Sequence, residues 1–234
     1  GRAMHVTEIW RYPVKSLGGE RLARVEIGDD GIVGDRAWGV LDRETGLVLT
    51  ARREPQLLFL SARHVDGGRP SIIGPDGEPL ADDDALGAAL GRSVELVPAS
   101  GGPATFENPM NVDDETDWVR WESAGRTFHD GRSTVSLVSI GTLGEWDRRR
   151  FRINLIVDEE GEDEMTGDLA VGSVRLTVRR PIDRCVMVAR AQPGIERDLG
   201  VLKRIIAERD NKLGIGLVVA SAGAIAVGDP ITAG

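Results

Sequence analysis

Short runs of apolar and β-branched residues, separated by Gly, Asp and Pro, recur along most of this chain. Some runs alternate in polarity, as in Ala23, Val25 and Ile27 against Arg24 and Glu26. Alternation with a period of two is typical of a strand with one buried face, and frequent turn residues favour antiparallel pairing. The sequence therefore predicts a mainly β fold. The predicted strands are residues 5–12, 23–27, 37–41, 47–51, 57–65, 94–98, 134–138, 154–157, 174–179, 186–189 and 216–220.

Three segments depart from the strand pattern and predict short helices, at residues 82–91, 139–150 and 199–209. The first begins with Asp82 and the second with Ser139, and both residue types cap helix N-termini with a side-chain oxygen. The third places Leu202, Ile205 and Ile206 on one face. These helices are few and short beside the strands, so the predicted fold class stays mainly β.

The length of 234 residues allows one composite domain or two closely packed ones. Residues 99–132 are rich in Gly, Pro, Asn, Asp and Glu, which is typical of a connection or a long functional loop. We therefore expect an N-terminal β domain at residues 4–98, a connecting or lid segment at 99–132 and a second β domain at 133–234. Residues 1–3 resemble the remnant of an expression tag, so we expect the native chain to start at Met4.

The composition argues against several classes of protein. A formal net charge of −9 disfavours nonspecific binding to nucleic acid, which depends on clustered Lys and Arg. No stretch approaches the roughly 20 apolar residues of a membrane span, and the N-terminus lacks a signal-peptide pattern. The single cysteine excludes an internal disulfide framework and an iron–sulfur cluster, and it fits a reducing compartment. We therefore expect a cytoplasmic protein without a membrane span.

The single cysteine, Cys185, follows Arg184 between two predicted strands. Adjacent guanidinium charge favours the thiolate, which is the form in which a cysteine acts as a metal ligand or a nucleophile. A lone cysteine is also often just a small buried apolar residue. The residues alone leave both interpretations open, but the basic surroundings make Cys185 the first candidate for chemistry.

Other polar residues lie where predicted strands begin or end. Arg152 and Asn154 stand at a helix-to-strand junction, where Arg offers a planar donor fork for phosphate and Asn offers both a donor and an acceptor. Lys15 and Arg36 lie in loops and could address an anion, and Asp35 could orient an arginine. Basic residues in such places are also commonly just solvated or paired with a helix dipole. The three histidines have no zinc spacing, so we assign them no metal.

Four motifs, in order along the chain, resemble the MOSC domain proteins that carry an N-terminal MOSC-type β-barrel domain. This family includes the molybdenum cofactor sulfurase C-terminal region and the amidoxime-reducing components. The motifs are Tyr-Pro-Val-Lys-Ser ending at Ser16, Gly-Asp-Arg ending at Arg36, Arg-x-Asn ending at Asn154 and Arg-Cys ending at Cys185. The resemblance covers nearly the whole chain. It implies a β-barrel core with a second β-barrel unit before it, and binding of the molybdenum cofactor.

The resemblance also implies roles for particular residues. Cys185, behind Arg184, would ligate molybdenum, because a soft thiolate suits a metal that the cofactor's dithiolene sulfurs already hold. The Arg-x-Asn element would hold the pterin side, and Lys15 and Arg36 would neutralise the phosphate. Small hydroxyl residues lie near the cofactor in the family. The cofactor-binding residues implied in this way are Lys15, Arg36, Ser133, Thr134, Arg152, Asn154 and Arg184, with Cys185 as the metal ligand and catalytic residue.

Two positions near these motifs depart from the family pattern. The family usually has Pro between the Arg and the Asn, whereas this chain has Ile153. Some relatives have Ser two residues before the Cys, whereas this chain has Asp183. A carboxylate beside an anionic cofactor is costly unless Arg184 or another base pairs with it. At Asp183, binding of the cofactor therefore depends on whether such a partner is present.

The function implied by the resemblance is that of a molybdenum-dependent oxidoreductase, which reduces N-oxygenated small molecules by oxygen-atom transfer. Such an enzyme would need an external electron-transfer reductase, since no ferredoxin or flavin module fits in this chain. Two other functions stay open. One is a carrier of the cofactor, or of sulfur as a Cys185 persulfide, and the other is a noncatalytic small-ligand module, which Asp183 favours.

Overall fold

The computed structural model describes residues 3–109, 117–123 and 125–234, so the tag-like Gly1 and Arg2 lie outside the described residues. The prediction of a mainly β fold with a few short helices is confirmed. The strands are β1 (Met4–Arg11), β2 (Glu20–Leu22), β3 (Arg24–Gly28), β4 (Gly31–Ile32), β5 (Trp38–Asp42), β6 (Ser61–Arg63), β7 (Ser71–Ile73), β8 (Pro79–Leu80), β9 (Val94–Pro98), β10 (Thr105–Pro109), β11 (Trp118–Glu122), β12 (Val135–Ser139), β13 (Leu155–Val157), β14 (Asp168–Val171), β15 (Val174–Asp183), β16 (Lys212–Ser221), β17 (Gly223–Ala226) and β18 (Pro230–Ala233). The α-helices are α1 (Asp83–Leu90), α2 (Ile140–Leu143) and α3 (Leu199–Arg209), and short 3-10 helices cover Pro55–Phe59, Ala99–Gly101, Arg148–Arg150, Glu162–Glu164 and Val186–Ala189.

Seven strands close into a barrel. They follow the order β13, β12, β16, β15, β14, β18 and β1, and the pairing of β1 with β13 closes the ring, while β2 extends the sheet from β1. The strands β12 and β13 pair in parallel, whereas the other neighbours around the ring are antiparallel. Because β1 lies between β18 and β13, residues 4–11 are part of the same barrel as strands from the C-terminal half.

The barrel interior is filled by apolar side chains that alternate along the strands. On β15, Val174 and Leu176 are buried while Arg175 between them is exposed, as the pleat of a strand requires. On β1 the register shifts after Val6, so that Ile9 continues the buried face despite its odd spacing. The buried residues of this core are Met4, Val6, Ile9, Val25, Ile27, Ile32, Val135, Leu137, Leu155, Val157, Leu169, Val171, Val174, Leu176, Ile215, Leu217, Ile225 and Ile231.

Two further cores lie beside the barrel and meet near the cysteine. One consists of buried apolar residues that lie between Val14 and Leu96 and are not part of the barrel core, including Leu86 and Leu90 of α1, and Met187 packs against it. The other contains Val188 together with apolar residues of α3. The segment that follows Cys185 is therefore held between two packed regions of the protein.

Two of the three helix predictions are confirmed, and the third is wrong in length. Asp82 caps α1 by accepting from Ala85 N at 2.8 Å, and α3 spans the predicted residues 199–209. Ser139 caps α2 as predicted, since it accepts from Thr142 N at 3.1 Å. However, α2 ends after one turn because Gly144 follows with a φ of 57°. No helix in the described ranges is long and apolar enough to cross a membrane.

Most predicted strands are confirmed, but three are wrong wholly or in part. Residues 47–51 form single bridges, such as Leu41 with Val48, instead of a ladder. Residues 57–59 lie in the 3-10 helix that begins at Pro55, because the fixed φ of proline favours a first helical turn. Residues 186–189 form a 3-10 helix in which Val186 and Val188 are buried. The apolar and β-branched composition of this segment is typical of a strand, but Ala189 is buried beside Val188, so the burial does not alternate.

The segment predicted as a connection or lid contains a hairpin. Strand β10 pairs with β11, with Thr105 opposite Glu122, and Phe106 is buried against Phe128. The part of the segment that the structure describes is therefore packed. Residues 110–116 and 124 lie outside the described residues. The lid role of this segment, and the domain boundaries at 98 and 133, stay predictions.

Candidate functional site

An open cavity of about 560 Å³ is lined by residues from both halves of the chain. Nine Lys or Arg side chains and two Asp side chains line it, although the chain has a formal net charge of −9. The cavity is therefore a concentrated positive region in an acidic protein, which suits an anionic ligand. It brings together all the candidate residues from the sequence, which are Lys15, Arg36, Ser133, Thr134, Arg152, Asn154, Arg184 and Cys185.

Cys185 lies just after β15, immediately before the 3-10 helix Val186–Ala189, and it is half-buried. Asn211 forms hydrogen bonds with both main-chain polar groups of Arg184, the residue before the cysteine. Arg184 N donates to Asn211 O at 3.0 Å, and Asn211 Nδ2 donates to Arg184 O at 3.0 Å. Asn211 has a φ of 61°, a left-handed conformation that Asn adopts more readily than most residues. The turn before β16 therefore helps to set the position of the thiol.

The guanidinium of Arg184 is buried and binds main-chain oxygens. Its Nε and Nη2 donate to Leu213 O at 2.9 and 2.8 Å, and its Nη1 donates to Phe151 O at 2.9 Å. Burial lowers the pKa of Arg184 to about 10, although the electrostatic interaction with Cys185 opposes this shift. The group stays protonated at neutral pH. Arg184 thus keeps a fixed positive charge beside Cys185.

Replacing Arg184 with methionine is expected to destabilise the fold by about 2–4 kcal/mol, because three hydrogen bonds are lost and two buried carbonyl oxygens lose their donor. Arg180→Met is the matched control, since this exposed arginine pairs with Asp183 near the same end of β15. The control should change the free energy of unfolding by less than about 0.5 kcal/mol. Urea unfolding measures both changes. Equal losses in the two variants would contradict the role given to the main-chain contacts.

Asp35 is a buried carboxylate that contacts four other residues at or beside the cavity. Its oxygens accept from Tyr12 N at 2.8 Å, Arg36 Nη1 at 2.9 Å and Asn154 Nδ2 at 3.3 Å, and His129 Nε2 lies 2.9 Å away. Burial raises the pKa of Asp35, but the Arg36 charge and the His129 contact outweigh it and hold the pKa at about 2. Asp35 therefore stays ionised and orients Arg36, as the sequence suggests.

Arg36 and Arg152 both lie on the ring of Tyr12, with guanidinium carbons 4.6 and 4.3 Å from its centroid. Their φ values of 49° and 54° are left-handed, which is rare for such residues and recurs at functional sites. Burial, and then the Arg36 charge, lowers the pKa of Arg152 to about 10. Arg152 Nη2 is buried and has no hydrogen-bond partner among the described residues. An anion in the cavity would give this donor a partner.

Lys15 and Arg52 share one carboxylate, that of Asp130. Lys15 Nζ donates to Asp130 Oδ1 at 2.6 Å, and Arg52 Nη1 donates to Asp130 Oδ2 at 3.0 Å. Burial lowers the pKa of Lys15 to about 8, although Asp130 opposes this shift. For Arg52, burial also lowers the pKa, but the interactions with Asp130 and Cys185 outweigh it and raise the pKa above its ordinary value. Arg52 is therefore a second buried charge that interacts with Cys185.

The buried Lys15 is expected to make stability depend on pH in a defined window. Its pKa is about 8 in the folded protein against an ordinary value of 10.5, so the unfolded chain binds more protons between these values. The free energy of unfolding therefore rises with pH in this window. Relative to Lys15→Met, the wild type should gain about 2–3 kcal/mol between pH 7 and pH 10.5. Urea unfolding of both proteins across this range is the measurement, and parallel pH profiles would contradict the prediction.

The remaining candidates differ in how much of their hydrogen-bonding capacity is free. The amide of Asn154 is engaged within the wall, since Oδ1 accepts from Ser136 N at 3.1 Å and Nδ2 donates to a carbonyl oxygen of β1 at 3.0 Å. Ser133 Oγ accepts from an arginine at 3.3 Å. Thr134 Oγ1 is buried and has no hydrogen-bond partner within the described ranges. Thr134 and Arg152 therefore line the cavity, and each keeps one buried polar atom without a partner among the described residues, whereas Asn154 shapes the wall.

The two departures from the family pattern are accommodated in different ways. Asp183 pairs with Arg180 at 2.9 Å and lies 3.6 Å from Lys212 Nζ, so its charge is compensated by bases other than Arg184. Ile153 is buried in the core that contains Val188. Within residues 3–109, 117–123 and 125–234, no group of three or more His, Cys, Asp or Glu side chains is arranged to hold a metal ion.

Sequence reasoning missed Arg52, Asp130 and Asn211. Arg52 follows a predicted strand that proved wrong, and Asp130 falls in the segment predicted as a connection. Asn211 follows α3 and had no motif to mark it. The one available signal was that Asp130 begins the stretch that contains Ser133, which the resemblance had already placed near the site.

Comparison with known proteins relates both halves of the chain to one family. Residues 3–118 match the MOSC N-terminal beta barrel domain, and residues 120–232 match the MOSC domain. Human molybdenum cofactor sulfurase is 22% identical over an alignment of 265 residues including gaps. The alignment covers 91% of this chain and 29% of that protein. The Drosophila grimshawi molybdenum cofactor sulfurase is 26% identical over an alignment of 259 residues including gaps. That alignment covers 94% of this chain and 33% of the relative. The chain thus spans about a third of the length of these relatives.

One further relative matches a shorter stretch of this chain, and one solved structure has a similar fold. Rat mitochondrial amidoxime reducing component 2 is 38% identical over 60 residues, which cover 24% of this chain and 18% of that protein. The solved structure of the YUAD protein from Bacillus subtilis has a TM-score of 0.50 at 11% identity, with 98% of this chain and 94% of that chain covered. At this identity the likeness shows the fold alone. With both of its matched regions in order, the chain belongs to the MOSC family.

Proposed function

We propose that the cavity binds the molybdenum cofactor and that Cys185 is the protein ligand of its metal. The observation that carries the proposal is that the only thiol of the chain meets nine basic side chains in one cavity of about 560 Å³. The human and Drosophila relatives that match most of this chain are named for the same cofactor. The family and the chemistry of the cavity therefore support the same ligand.

The residues of the cavity fit the chemical groups of this cofactor. A thiolate is a soft ligand, which suits a metal already held by dithiolene sulfurs. A phosphate needs cations, and Lys15, Arg36 and Arg152 supply them. Buried polar atoms normally have partners, yet Arg152 Nη2 and Thr134 Oγ1 have none among the described residues. A bound anionic heterocycle would provide partners for both.

When bound, the molybdenum cofactor supplies two-electron oxygen-atom transfer, and we propose that the protein uses it to reduce N-oxygenated small molecules. The residues of the chain would bind and orient. Arg184 would keep a positive charge beside Cys185, and Asp35 would hold Arg36 in place next to Arg152. The electrons would come from an external reductase, and a cytoplasmic location would keep the single thiol reduced.

The first test is the molybdenum content of the wild-type protein purified from a host that makes the cofactor. The control is the same protein from a host that cannot make it. We expect near-stoichiometric metal in the first preparation and none in the second, with pterin fluorescence after oxidation following the metal. Protein without metal from the first host would contradict the proposal. Loaded protein is then assayed for reduction of N-hydroxylated compounds with a dye as electron donor.

A second candidate function is transport of the cofactor or of sulfur, in which the bound group is cargo. It is favoured by the relatives named molybdenum cofactor sulfurase, which match over 91% and 94% of this chain. It predicts that metal and pterin exchange readily into an empty acceptor protein, and that no dye-dependent turnover occurs. A noncatalytic small-ligand module, the third possibility, predicts neither retention nor exchange of metal.

A further inference from the structure

Two carboxylates line the cavity, and they stand in different surroundings. Asp183 pairs with Arg180 and Lys212, both of which are exposed or half-buried. Asp130 instead contacts two basic side chains that are almost fully buried. Its Oδ1 lies 2.6 Å from Lys15 Nζ and 3.3 Å from Arg52 Nη2, and its Oδ2 lies 3.0 Å from Arg52 Nη1. One carboxylate therefore pairs with two buried cations and compensates the charge of only one of them.

The two cations are fixed parts of the wall, whereas Asp130 reaches them from the open side. The side chains of Lys15 and Arg52 are 5% and 7% exposed, but that of Asp130 is 52% exposed. Lys15 Nζ also donates to Phe128 O at 3.2 Å, which anchors it independently of Asp130. The next residue, Gly131, has open space where a Cβ would lie. Asp130 is therefore exposed on the open side of the pair, where an anion from the cavity can compete with it for the two cations.

The contacts made by Asp130 are those that any oxyanion would make. An Arg fork and a Lys ammonium bind carboxylate and phosphate oxygens with the same geometry. Arg52 Nε is buried and has no hydrogen-bond partner in the described part of the chain, so the arginine has capacity that Asp130 does not use. A larger anion with three or four oxygens would use more of it.

We propose that Lys15 and Arg52 form an oxyanion subsite and that Asp130 is a stand-in anion, which a phosphate or carboxylate group of the ligand displaces. The subsite lies in the same cavity as the proposed cofactor site and rests on that proposal only for the identity of the natural ligand. Asp130 would then set the affinity of the cavity for anions, because each ligand must first replace it.

The test is binding of inorganic phosphate to the metal-free protein, measured by calorimetry at neutral pH. Asp130→Asn keeps the size of the side chain and removes its charge, so it should bind phosphate on the order of tenfold to a hundredfold more tightly than the wild type. The matched control is Asp183→Asn, which removes the other carboxylate of the same cavity. It should change the affinity by less than about threefold, because Asp183 does not contact the subsite.

Two further variants test whether the gain in phosphate binding comes from removal of the Asp130 carboxylate. Asp130→Ser should also tighten binding, which covers the case in which the asparagine variant does not fold. Adding Lys15→Met to Asp130→Asn should remove the gain, since the freed cation is then missing. Phosphate binding by Asp130→Asn and Asp130→Ser that equals or falls below the wild type would overturn the proposal. So would an equal gain in Asp183→Asn, which would indicate a general charge effect.

Repeating the experiment with cofactor-loaded protein distinguishes the two sources of the oxyanion. If loading abolishes the phosphate binding gained in Asp130→Asn, the cofactor's own phosphate uses the subsite. If the gain persists after loading, the subsite serves an anionic group of another ligand. Because the main measurement uses metal-free protein, its outcome is independent of whether the protein retains molybdenum.

Discussion

The Cys185→Ala variant is expected to retain about a tenth or less of the molybdenum found in the wild type, when both are purified from a host that makes the cofactor. Cys185 is the only thiol in the chain, so no second cysteine can take its place. Cys185→Ser tests the chemistry of the ligand with almost the same shape. A hydroxyl is a harder and less acidic ligand than a thiol, so this variant should also lose most of the metal.

The loss must be separated from a loss of folding. Cys185 is only half-buried, and its neighbours Met187 and Val188 anchor the segment independently. The thermal midpoints of both variants should therefore stay within a few degrees of the wild type. Full molybdenum content in either variant would contradict the assignment of Cys185 as the ligand. Loss of metal with retention of pterin would indicate that the basic wall of the cavity holds the organic part by itself.

The Asp35→Ala variant is expected to lose about 3–5 kcal/mol of stability, because it removes a fully buried carboxylate and leaves the partly buried Arg36 charge without its partner. The substitution also removes the carboxylate oxygen that accepts a hydrogen bond from Tyr12 N at 2.8 Å. Arg152 lies on the same ring of Tyr12, so two neighbouring cations would then repel without compensation. Urea unfolding should show the change as a lower midpoint. Asp35→Asn, which keeps an acceptor but no charge, should fall between Asp35→Ala and the wild type.

The same carboxylate predicts a pH dependence with a definite sign. The pKa of Asp35 is about 2 in the folded protein and 3.8 ordinarily, so its contribution is complete above about pH 4 and is lost as the pH falls toward 2. The difference in free energy of unfolding between the wild type and Asp35→Asn should therefore shrink by about 2 kcal/mol across this range. Asp66→Asn is the control, since this carboxylate is 99% exposed and its contact with His64 Nε2 at 2.9 Å is open to solvent, so the midpoint should stay almost unchanged. A constant difference between wild type and Asp35→Asn would show that the charge of Asp35 is not stabilised.

The cavity depends on both family-matched regions of the chain. Lys15, Arg36 and Arg52 come from residues 3–118, whereas Arg184 and Cys185 come from residues 120–232. Neither region carries the thiol and the full set of cations alone. Folding therefore has to bring like charges together, and the carboxylates of Asp35 and Asp130 reduce the cost.

The sequence by itself determined the fold class and the main candidates for chemistry. Period-two alternation identified strands such as β3, because a pleated strand with one buried face imposes that pattern locally. The Ser139 and Asp82 caps were also evident, since a cap acts within three residues of itself. Cys185 stood out because it is the only thiol and follows an arginine. All of these features are short-range.

Tertiary structure decided the features that join distant residues. Asp130 lies 115 positions from Lys15 and 78 from Arg52, and no local pattern could pair them. The same is true of Asn211, which lies 27 positions after the Arg184 carbonyl that it holds. Packing also overrode local propensity at residues 186–189, where burial between two cores produced a 3-10 helix. Hydrogen bonds and ion pairs act only at contact distance, so the chain must fold before these partners are defined.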